Sequence, residues 1–308
     1  AWGWSTTITG HAPVAALFVI ALWAGWRGGL DGRKRFAVVT GVALGWAVVI
    51  EYQAVLAGSA IALWAAWRCW RQPWRWRFLG GAALAGVAVM VPLLAYNLFA
   101  FGTVLRLGYQ GVVGFEGMNQ GLFGLTVPRP AVLWEVLFGV QRGLLWVAPV
   151  LVLAPLGFAR MAEVRRTRDL AWVTGAVVAV ALLVNAAYVY WDGGNSTGPR
   201  HALPLVGIAA LGIAGYWPAL TRGGRWVVAV VLAASIAVNA AIASAEIFAA
   251  PVFASELEAV WARFRVGDLR TVPSEWWGWT PWQGFALWAV PAAVAIGWLA
   301  RAVTLRSR

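Results

Sequence analysis

Long apolar runs separated by short polar links dominate the chain. Several runs meet or approach the roughly 20 residues that a helix needs to cross the hydrocarbon core of a bilayer, with hardly a charge inside. The pattern therefore predicts an all-α polytopic transmembrane helical bundle with about nine membrane segments. The predicted segments are residues 10–27, 36–50, 54–67, 78–97, 141–159, 170–190, 202–219, 226–246 and 284–300.

The second and third segments are short, and they flank Glu51 in the stretch VVIEYQAVL. Their length predicts a pair of half-length or tilted helices. A carboxylate at membrane depth is costly, so it tends to face a cavity, a partner or a substrate. Glu51 is therefore a candidate residue of a substrate cavity. It is also the only carboxylate of the chain that is a candidate for catalysis. The alternative is that residues 51–53 form an outer turn with a solvated glutamate.

Two long links, 98–140 and 247–283, contain short predicted helices of their own. In SELEAVWARF, Ser255 is a predicted N-cap with a glutamate three residues later, and the apolar residues recur at helical spacing. This is typical of an amphipathic helix on the membrane surface. In PRPAVLWEVLFG, a helix is predicted to open at Pro130 and to end near Gly139.

The amino-acid composition supports the membrane interpretation, and the positions of the basic residues explain the net positive charge. Hydrophobic residues make up 61% of the 308 residues, charged residues only 12%, and the mean hydropathy is +0.72. The net charge of +12 does not indicate nucleic acid, because most of the 24 Lys and Arg residues fall in alternate links. These residues are Arg27, Arg33, Lys34, Arg35, Arg68, Arg71, Arg75, Arg77, Arg160, Arg165, Arg166, Arg168, Arg222, Arg225, Arg301, Arg306 and Arg308.

The positive-inside rule assigns these basic links to the cytoplasm. The chain is then expected to begin outside and to end inside, as one multi-pass domain over residues 1–308. Its arginine-rich, lysine-poor usage is typical of bacteria, which places it in the inner (plasma) membrane. The outer loops are 98–140, 191–201 and 247–283, and function is expected to face outward. The single cysteine, Cys69, excludes an internal disulfide.

The stretch YVYWDGGNSTGPRHALP, residues 188–204, interrupts the apolar pattern with a glycine-rich turn. Arg200 lies in this turn, and Arg142 lies at the outer end of another segment. Because a guanidinium group matches phosphate oxygens with two parallel hydrogen bonds, both could hold a lipid-linked phosphate. The two side chains are then predicted to approach each other at an outward-facing cavity. The alternative is ordinary anchoring to phospholipid headgroups.

Other polar residues complete the candidate site. His201 is grouped with the two arginines as a phosphate contact, and His11 is a candidate for the same cavity. Asp192 is either a base or a partner of Arg200 across the turn, and the ion pair is the simpler interpretation. The remaining cavity candidates are Tyr190 and Trp191. The histidines do not have metal-ligand spacing, so no metal site is predicted.

Several ordered blocks resemble bacterial membrane glycosyltransferases of the GT-C fold that use polyprenyl-phosphate sugars, relatives of protein O-mannosyltransferases and aminoarabinose transferases. The blocks are STTITGHAPVAAL, YNLFAFGTVLRLGY, GLFGLTVPRPAVLWEVLFGVQRGLLWVAPVLVLAPLG and YVYWDGGNSTGPRHALPLVGIAALG. The resemblance implies transfer of a sugar from the lipid carrier to an extracytoplasmic acceptor, which is a glycan, a lipid or a protein. It also implies that Arg200 contacts the carrier phosphate, that Arg142 assists, and that the outer loops cover lipid and acceptor.

The chain departs from that family at one point. The acidic residues that the GT-C pattern places in the first large outer loop have no counterpart here. We therefore expect them upstream of Ala1, with this chain as the C-terminal part of a larger protein. The other expectation is a complete protein that kept the carrier-binding half. Where the upstream part exists, a carboxylate would deprotonate the acceptor, and arginine with a possible divalent cation would stabilise the leaving phosphate.

Two other functions remain open from the sequence. A lipid or solute transporter would place charges or broken helices near the membrane midplane in corresponding halves. The polar residues cluster at the outer mouth instead, and no repeat is evident. A non-catalytic, carrier-binding membrane scaffold is the third function. Convergence of Glu51, Arg142 and Arg200 on one cavity would favour the carrier site.

Overall fold

The computed structural model describes residues 10–106, 113–194, 196–245 and 255–306. The described residues form helices and isolated β-bridges only, which confirms the all-α prediction. The α-helices are α1 (His11–Asp31), α2 (Lys34–Ile50), α3 (Ala54–Trp70), α4 (Arg75–Phe101), α5 (Pro130–Phe138), α6 (Leu144–Val147), α7 (Ala154–Glu163), α8 (Arg168–Ala187), α9 (Leu203–Tyr216), α10 (Arg222–Ala245), α11 (Glu256–Arg265), α12 (Val272–Trp276) and α13 (Pro281–Arg306).

Five helical segments within the described residues are long and apolar enough to cross a membrane: α1, α4, α8, α10, and α9 with its flanking 3-10 turns. Helices α2 and α3 have 17 residues each, about 25 Å at 1.5 Å per residue, so they are not half-length. The predicted segment 141–159 is not one continuous helix. It is divided into α6, a 3-10 turn (Pro149–Leu153) and α7, because Pro149 and Pro155 interrupt the backbone hydrogen-bond ladder.

The first hydrophobic core joins α1, α2, α3 and α4, together with buried side chains of α8 and α9. Two glycines allow α2 and α4 to approach closely. A Cβ atom at Gly41 would collide with the Ala82 carbonyl, and one at Gly45 would meet the Gly86 carbonyl. This small-residue spacing at a helix contact is the usual way in which membrane helices bring their backbones together.

The second hydrophobic core lies between α5, α6, α7, α8, α9, α10 and α11. Helices α8 and α9 therefore contribute to both cores. The segment that joins these two helices, residues 188–202, lies where the two cores meet. Within this connection, Trp191 and Ala202 pack in the second core.

Both short helices predicted in the two long links, 98–140 and 247–283, are present. Helix α5 begins at Pro130 and is followed by Gly139, and α11 begins after Ser255, whose hydroxyl accepts a hydrogen bond from the Glu258 amide. The apolar face of α11 packs on protein rather than lying free on a surface. Val260 is buried, and Phe264 belongs to the second core, with its ring 5.3 Å from that of Trp282.

Polar contacts define two opposite ends of the bundle. At one end, α1 begins, α2 joins α3, and α8 joins α9. We call it the cleft end, defined by His11, Glu51, Arg200 and His201. At the other end, α3 finishes and α8 begins. We call it the latch end, defined by Trp64, Arg68 and Asp169. There the Asp169 carboxylate accepts hydrogen bonds from the Arg68 guanidinium and, over 3.2 Å, from the Trp64 indole.

Candidate functional site

Three helix junctions bring two histidines and a glutamate together at the cleft end. Nδ1 of His11, the first residue of α1, lies 3.3 Å from Oε1 of Glu51, between α2 and α3. The ring of His11 lies 4.9 Å from that of His201, just before α9, in an edge-on arrangement. These residues are far apart in the chain, so only the packing of α1, α3 and α9 makes them neighbours.

The three side chains line a small cleft. Gln53 adds an amide to the same wall, whereas the floor is apolar and includes Val14, Phe18 and Ala57. Nε2 of His201 is buried and has no hydrogen-bond partner. A buried polar atom without a partner is costly, so this nitrogen is available to a ligand or a water molecule in the cleft.

The turn beside the cleft depends on glycines at positions 193, 194 and 198. Their φ angles are +70°, +63° and +80°, which side chains with a Cβ atom rarely adopt. Ser196 is fully buried inside the turn, and its hydroxyl lies within hydrogen-bond distance of the carbonyls of Asp192 (3.2 Å) and Gly198 (3.1 Å). The turn is thus a compact structure with its own internal hydrogen bonds.

Arg142 holds this turn from the side of the second core. The residue is only 3% exposed, and its guanidinium group donates hydrogen bonds to the carbonyls of Ser196 and, over 2.8 Å, Gly194. Charge-assisted hydrogen bonds of this kind are about twice as strong as neutral ones. Arg142 and Arg200 therefore contact the same turn, with Arg142 directed toward its backbone.

Arg200 begins a single 3-10 turn that leads into α9, and its side chain folds over Gly193. A Cβ atom at position 193 would lie 3.0 Å from both Cγ and Nε of Arg200, so glycine leaves the room for this side chain. Nε of Arg200 is buried without a hydrogen-bond partner, as Nε2 of His201 is. The adjacent residues Arg200 and His201 thus each have one buried side-chain nitrogen without a hydrogen-bond partner near the cleft.

Tyr188 links the turn to the cleft, although its sequence context gave it no role. Its ring lies 5.1 Å from that of His201, and its hydroxyl donates to Sδ of Met118. Burial raises the pKa of the Tyr188 phenol; the Glu51 carboxylate raises it further, and the Arg200 charge partly opposes this. The phenol therefore stays neutral.

Part of the link 98–140 lies against the α8–α9 connection. Its residues 124–129 run beside residues 186–189, with the Val189 amide donating to the Gly124 carbonyl over 2.8 Å. The Arg129 guanidinium donates to the Tyr188 carbonyl over 2.8 Å. Residues 107–112 of this link, Asn195 in the turn, and residues 247–254 of the link 247–283 lie outside the described residues, as does the first part of STTITGHAPVAAL.

Five candidates from the sequence do not line the cleft: the two arginines, Arg142 and Arg200, and also Tyr190, Trp191 and Asp192. The Tyr190 hydroxyl accepts a hydrogen bond from the Gly117 amide over 3.0 Å, and Trp191 packs against the second core. No ion pair joins Asp192 to Arg200, although both are described. The Asp192 carbonyl is used instead, as an acceptor for Ser196.

Sequence reasoning missed Tyr188 and Gln53. Tyr188 could have been found because it lies two residues before Tyr190, and Gln53 because it lies two residues after Glu51. Neither position carries a motif that distinguishes it from an interfacial residue. Within the described ranges, no three His, Cys, Asp or Glu residues are grouped closely enough to hold a metal ion.

Comparison of the chain with known protein families, curated proteins and solved structures finds no match. The site must therefore be interpreted from its own chemistry. That chemistry consists of a carboxylate, two imidazoles and a guanidinium group at one end of an apolar helical bundle. These groups can contact a polar or anionic ligand, whereas the floor of the cleft is apolar.

Proposed function

We propose that the chain is an integral membrane protein with nine membrane segments and with the latch end in the cytoplasm. The support is the distribution of arginines, which follow the latch-end termini of α1, α3, α7 and α9. The cleft then opens at the outer surface of a bacterial inner membrane. This places the polar cluster at the depth of the lipid headgroups.

The function that the site supports best is that of a membrane glycosyltransferase, or its carrier-binding part, acting on a polyprenyl-phosphate-linked sugar. One observation carries this proposal: the buried, unpartnered Nε of Arg200 lies beside a cleft lined by Glu51, His11 and His201. A guanidinium group at headgroup depth matches a phosphate, and the apolar helices around it suit a prenyl chain. The cleft lies at the helix ends rather than at mid-bundle, which disfavours the transporter alternative.

In the proposed reaction, an acceptor hydroxyl attacks the anomeric carbon of the carrier-linked sugar. The new bond joins the acceptor oxygen to that carbon, and the bond from the carbon to the phosphate oxygen breaks. The phosphate leaves with the electron pair and is stabilised by Arg200. A carboxylate receives the acceptor proton; within this chain Glu51 is the weak candidate for that role.

The two arginines have different tasks in this proposal. Arg200 contacts the phosphate, whereas Arg142 keeps the glycine-rich turn in the shape that places Arg200. The support is that the guanidinium of Arg142 donates to the backbone carbonyls of Gly194 and Ser196. Arg142 is thus a positioning residue, and its direct assistance to the phosphate stays a prediction from the sequence.

The test is the binding of undecaprenyl phosphate to the purified chain in nanodiscs, measured by native mass spectrometry. Arg200→Gln removes the charge-assisted contact, so we expect the affinity to fall roughly 10- to 100-fold. Undecaprenol, which lacks the phosphate, should bind weakly to both proteins. A variant that binds undecaprenyl phosphate as well as the unmodified chain would rule out Arg200 as the phosphate contact.

The matched control is Arg270→Gln, which removes the same charge from an exposed position in the outer link 247–283. It should change the affinity less than about twofold, since an exposed charge contributes little. Equal losses in both variants would mean that only the net charge matters. In that case the specific site proposed here would be wrong.

A further inference from the structure

The latch end contains a second polar feature that the proposed function does not use. The link between α3 and α4 lies against the end of α1, and Trp74 joins them. Its indole N–H donates to the Gly28 carbonyl over 3.0 Å. Its ring lies over Gly32, where a Cβ atom would be 2.6 Å from the indole and where φ is +64°. Trp74 therefore fixes the α1–α2 link beside the α3–α4 link.

This contact gathers the basic residues of both links into one surface. We call it the basic junction; its members are Arg33, Lys34, Arg35, Arg71, Arg75 and Arg77. None of these six forms an ion pair among the described residues. The nearby carboxylates are already occupied, since Asp31 pairs with Arg27 and Asp169 with Arg68. The surface thus has a concentrated positive charge that the described protein does not neutralise.

Exposed tryptophans frame the basic junction. Trp70 and Trp76 are 54% and 65% exposed, and their rings meet edge-on at 5.8 Å. The Arg75 guanidinium lies 5.7 Å from the Trp76 ring. Indole rings favour the boundary between hydrocarbon and headgroups, so they place the arginines at the depth of lipid phosphates.

We propose that the basic junction is a binding site for the headgroup of an anionic phospholipid, and that a headgroup with two phosphodiesters fits it best. The proposal rests on the membrane placement given under the proposed function, but not on the cleft or on its ligand. Each half of such a headgroup can meet the arginines of one link. Basic pockets between membrane helices on the cytoplasmic side are known to suit such lipids.

The fixed geometry of the basic junction distinguishes it from the other positively charged cytoplasmic links. Charge alone would attract any anionic lipid to any basic link, including the α7–α8 link with Arg165 and Arg166. In the basic junction, two links are locked together by the hydrogen bond from Trp74 to Gly28. The site should therefore depend on Trp74 as well as on charge.

The experiment measures cardiolipin retained by the full chain in phosphatidylcholine nanodiscs, by native mass spectrometry. The double variant Arg71→Gln with Arg75→Gln should lower the affinity at least about tenfold, because each basic residue near an anionic surface contributes substantially. The matched control is Arg165→Gln with Arg166→Gln, which removes equal charge and should change the affinity less than about threefold. Equal losses in the two double variants would overturn the proposal.

A second variant tests the lock without changing charge. Trp74→Phe keeps a ring and removes the donor to Gly28, and we expect a loss of cardiolipin affinity of about fivefold. Unchanged affinity would show that a locked site does not exist. Excess inorganic phosphate should not displace cardiolipin, and displacement would contradict a lipid site. Binding of undecaprenyl phosphate at the cleft end should stay unchanged in all these variants, so the two proposals fail separately.

Discussion

The two ends of the bundle each hold a partly buried carboxylate, and they use it differently. At the latch end, Asp169 accepts hydrogen bonds from the Arg68 guanidinium and the Trp64 indole, so α8 is tied to α3. At the cleft end, Glu51 lies 3.3 Å from His11 and faces an open space that His201 also lines. The first carboxylate joins helices, whereas the second is presented to a cavity.

This difference explains why buried charge alone does not identify a functional site. A buried ion pair offsets its desolvation cost through its partner, and the result is a fixed contact. A polar group directed into a cleft keeps part of its bonding capacity for a ligand. The arginines repeat the contrast, because Arg142 is bound to backbone carbonyls while Nε of Arg200 has no partner.

The largest effect on stability is expected at the latch end. Asp169→Ala leaves the partly buried Arg68 charge without its carboxylate, which should lower the free energy of unfolding by about 3 kcal/mol. The measurement is unfolding in mixed micelles, followed by circular dichroism. The double variant Arg68→Leu with Asp169→Leu removes both charges and should recover most of the loss. If Asp169→Ala had the same free energy of unfolding as the unmodified chain, the ion pair between Asp169 and Arg68 would not stabilise the fold.

A smaller loss is expected when Arg142 no longer holds the turn. Arg142→Gln removes two charge-assisted hydrogen bonds, so we expect a loss of about 2–3 kcal/mol together with faster proteolysis of residues 193–198. Arg142→Lys should be intermediate, because an ammonium group lacks the planar fork. If Arg142→Gln kept full stability but lost undecaprenyl phosphate binding, Arg142 would be a ligand contact, and its contrast with Arg200 would disappear.

The smallest effect on stability is expected at Glu51. Glu51→Gln keeps the shape and one acceptor oxygen of the side chain, so the free energy of unfolding should change by less than about 1 kcal/mol. Binding or transfer that depends on the carboxylate should nevertheless fall. Unfolding and ligand binding measured on the same preparation separate the two effects. A loss as large as that of Asp169→Ala would make Glu51 a second structural latch.

Much of the fold could be predicted because its signals are local. Apolar runs of membrane length, Ser255 before α11 and Pro130 at the start of α5 each act within a few residues of their own position. The segment 141–159 was predicted as one helix because hydropathy does not register the backbone effect of proline. The packing of α11 on the second core was also missed, since an apolar face does not identify what covers it.

The candidate site was only partly predictable. The sequence identified Glu51, His11, Arg200 and His201 as polar interruptions of an apolar pattern, and that identification needed no tertiary information. It did not separate Arg142 from Arg200, because both are arginines at the ends of apolar segments. It also assigned Asp192 to Arg200 from proximity in the chain, although the described structure joins them by no ion pair.

By itself, therefore, the sequence determined that this is an apolar helical chain with a few polar groups at the helix ends. Hydrophobicity and helix signals are properties of neighbouring residues, which is why they can be read from the chain alone. The tertiary structure alone decided which of those groups meet. The contact of His11 with Glu51, the bond of Arg142 to the turn and the lock of Trp74 on Gly28 each join distant segments. Their physical cause is the close packing of whole helices, to which every residue along the interface contributes.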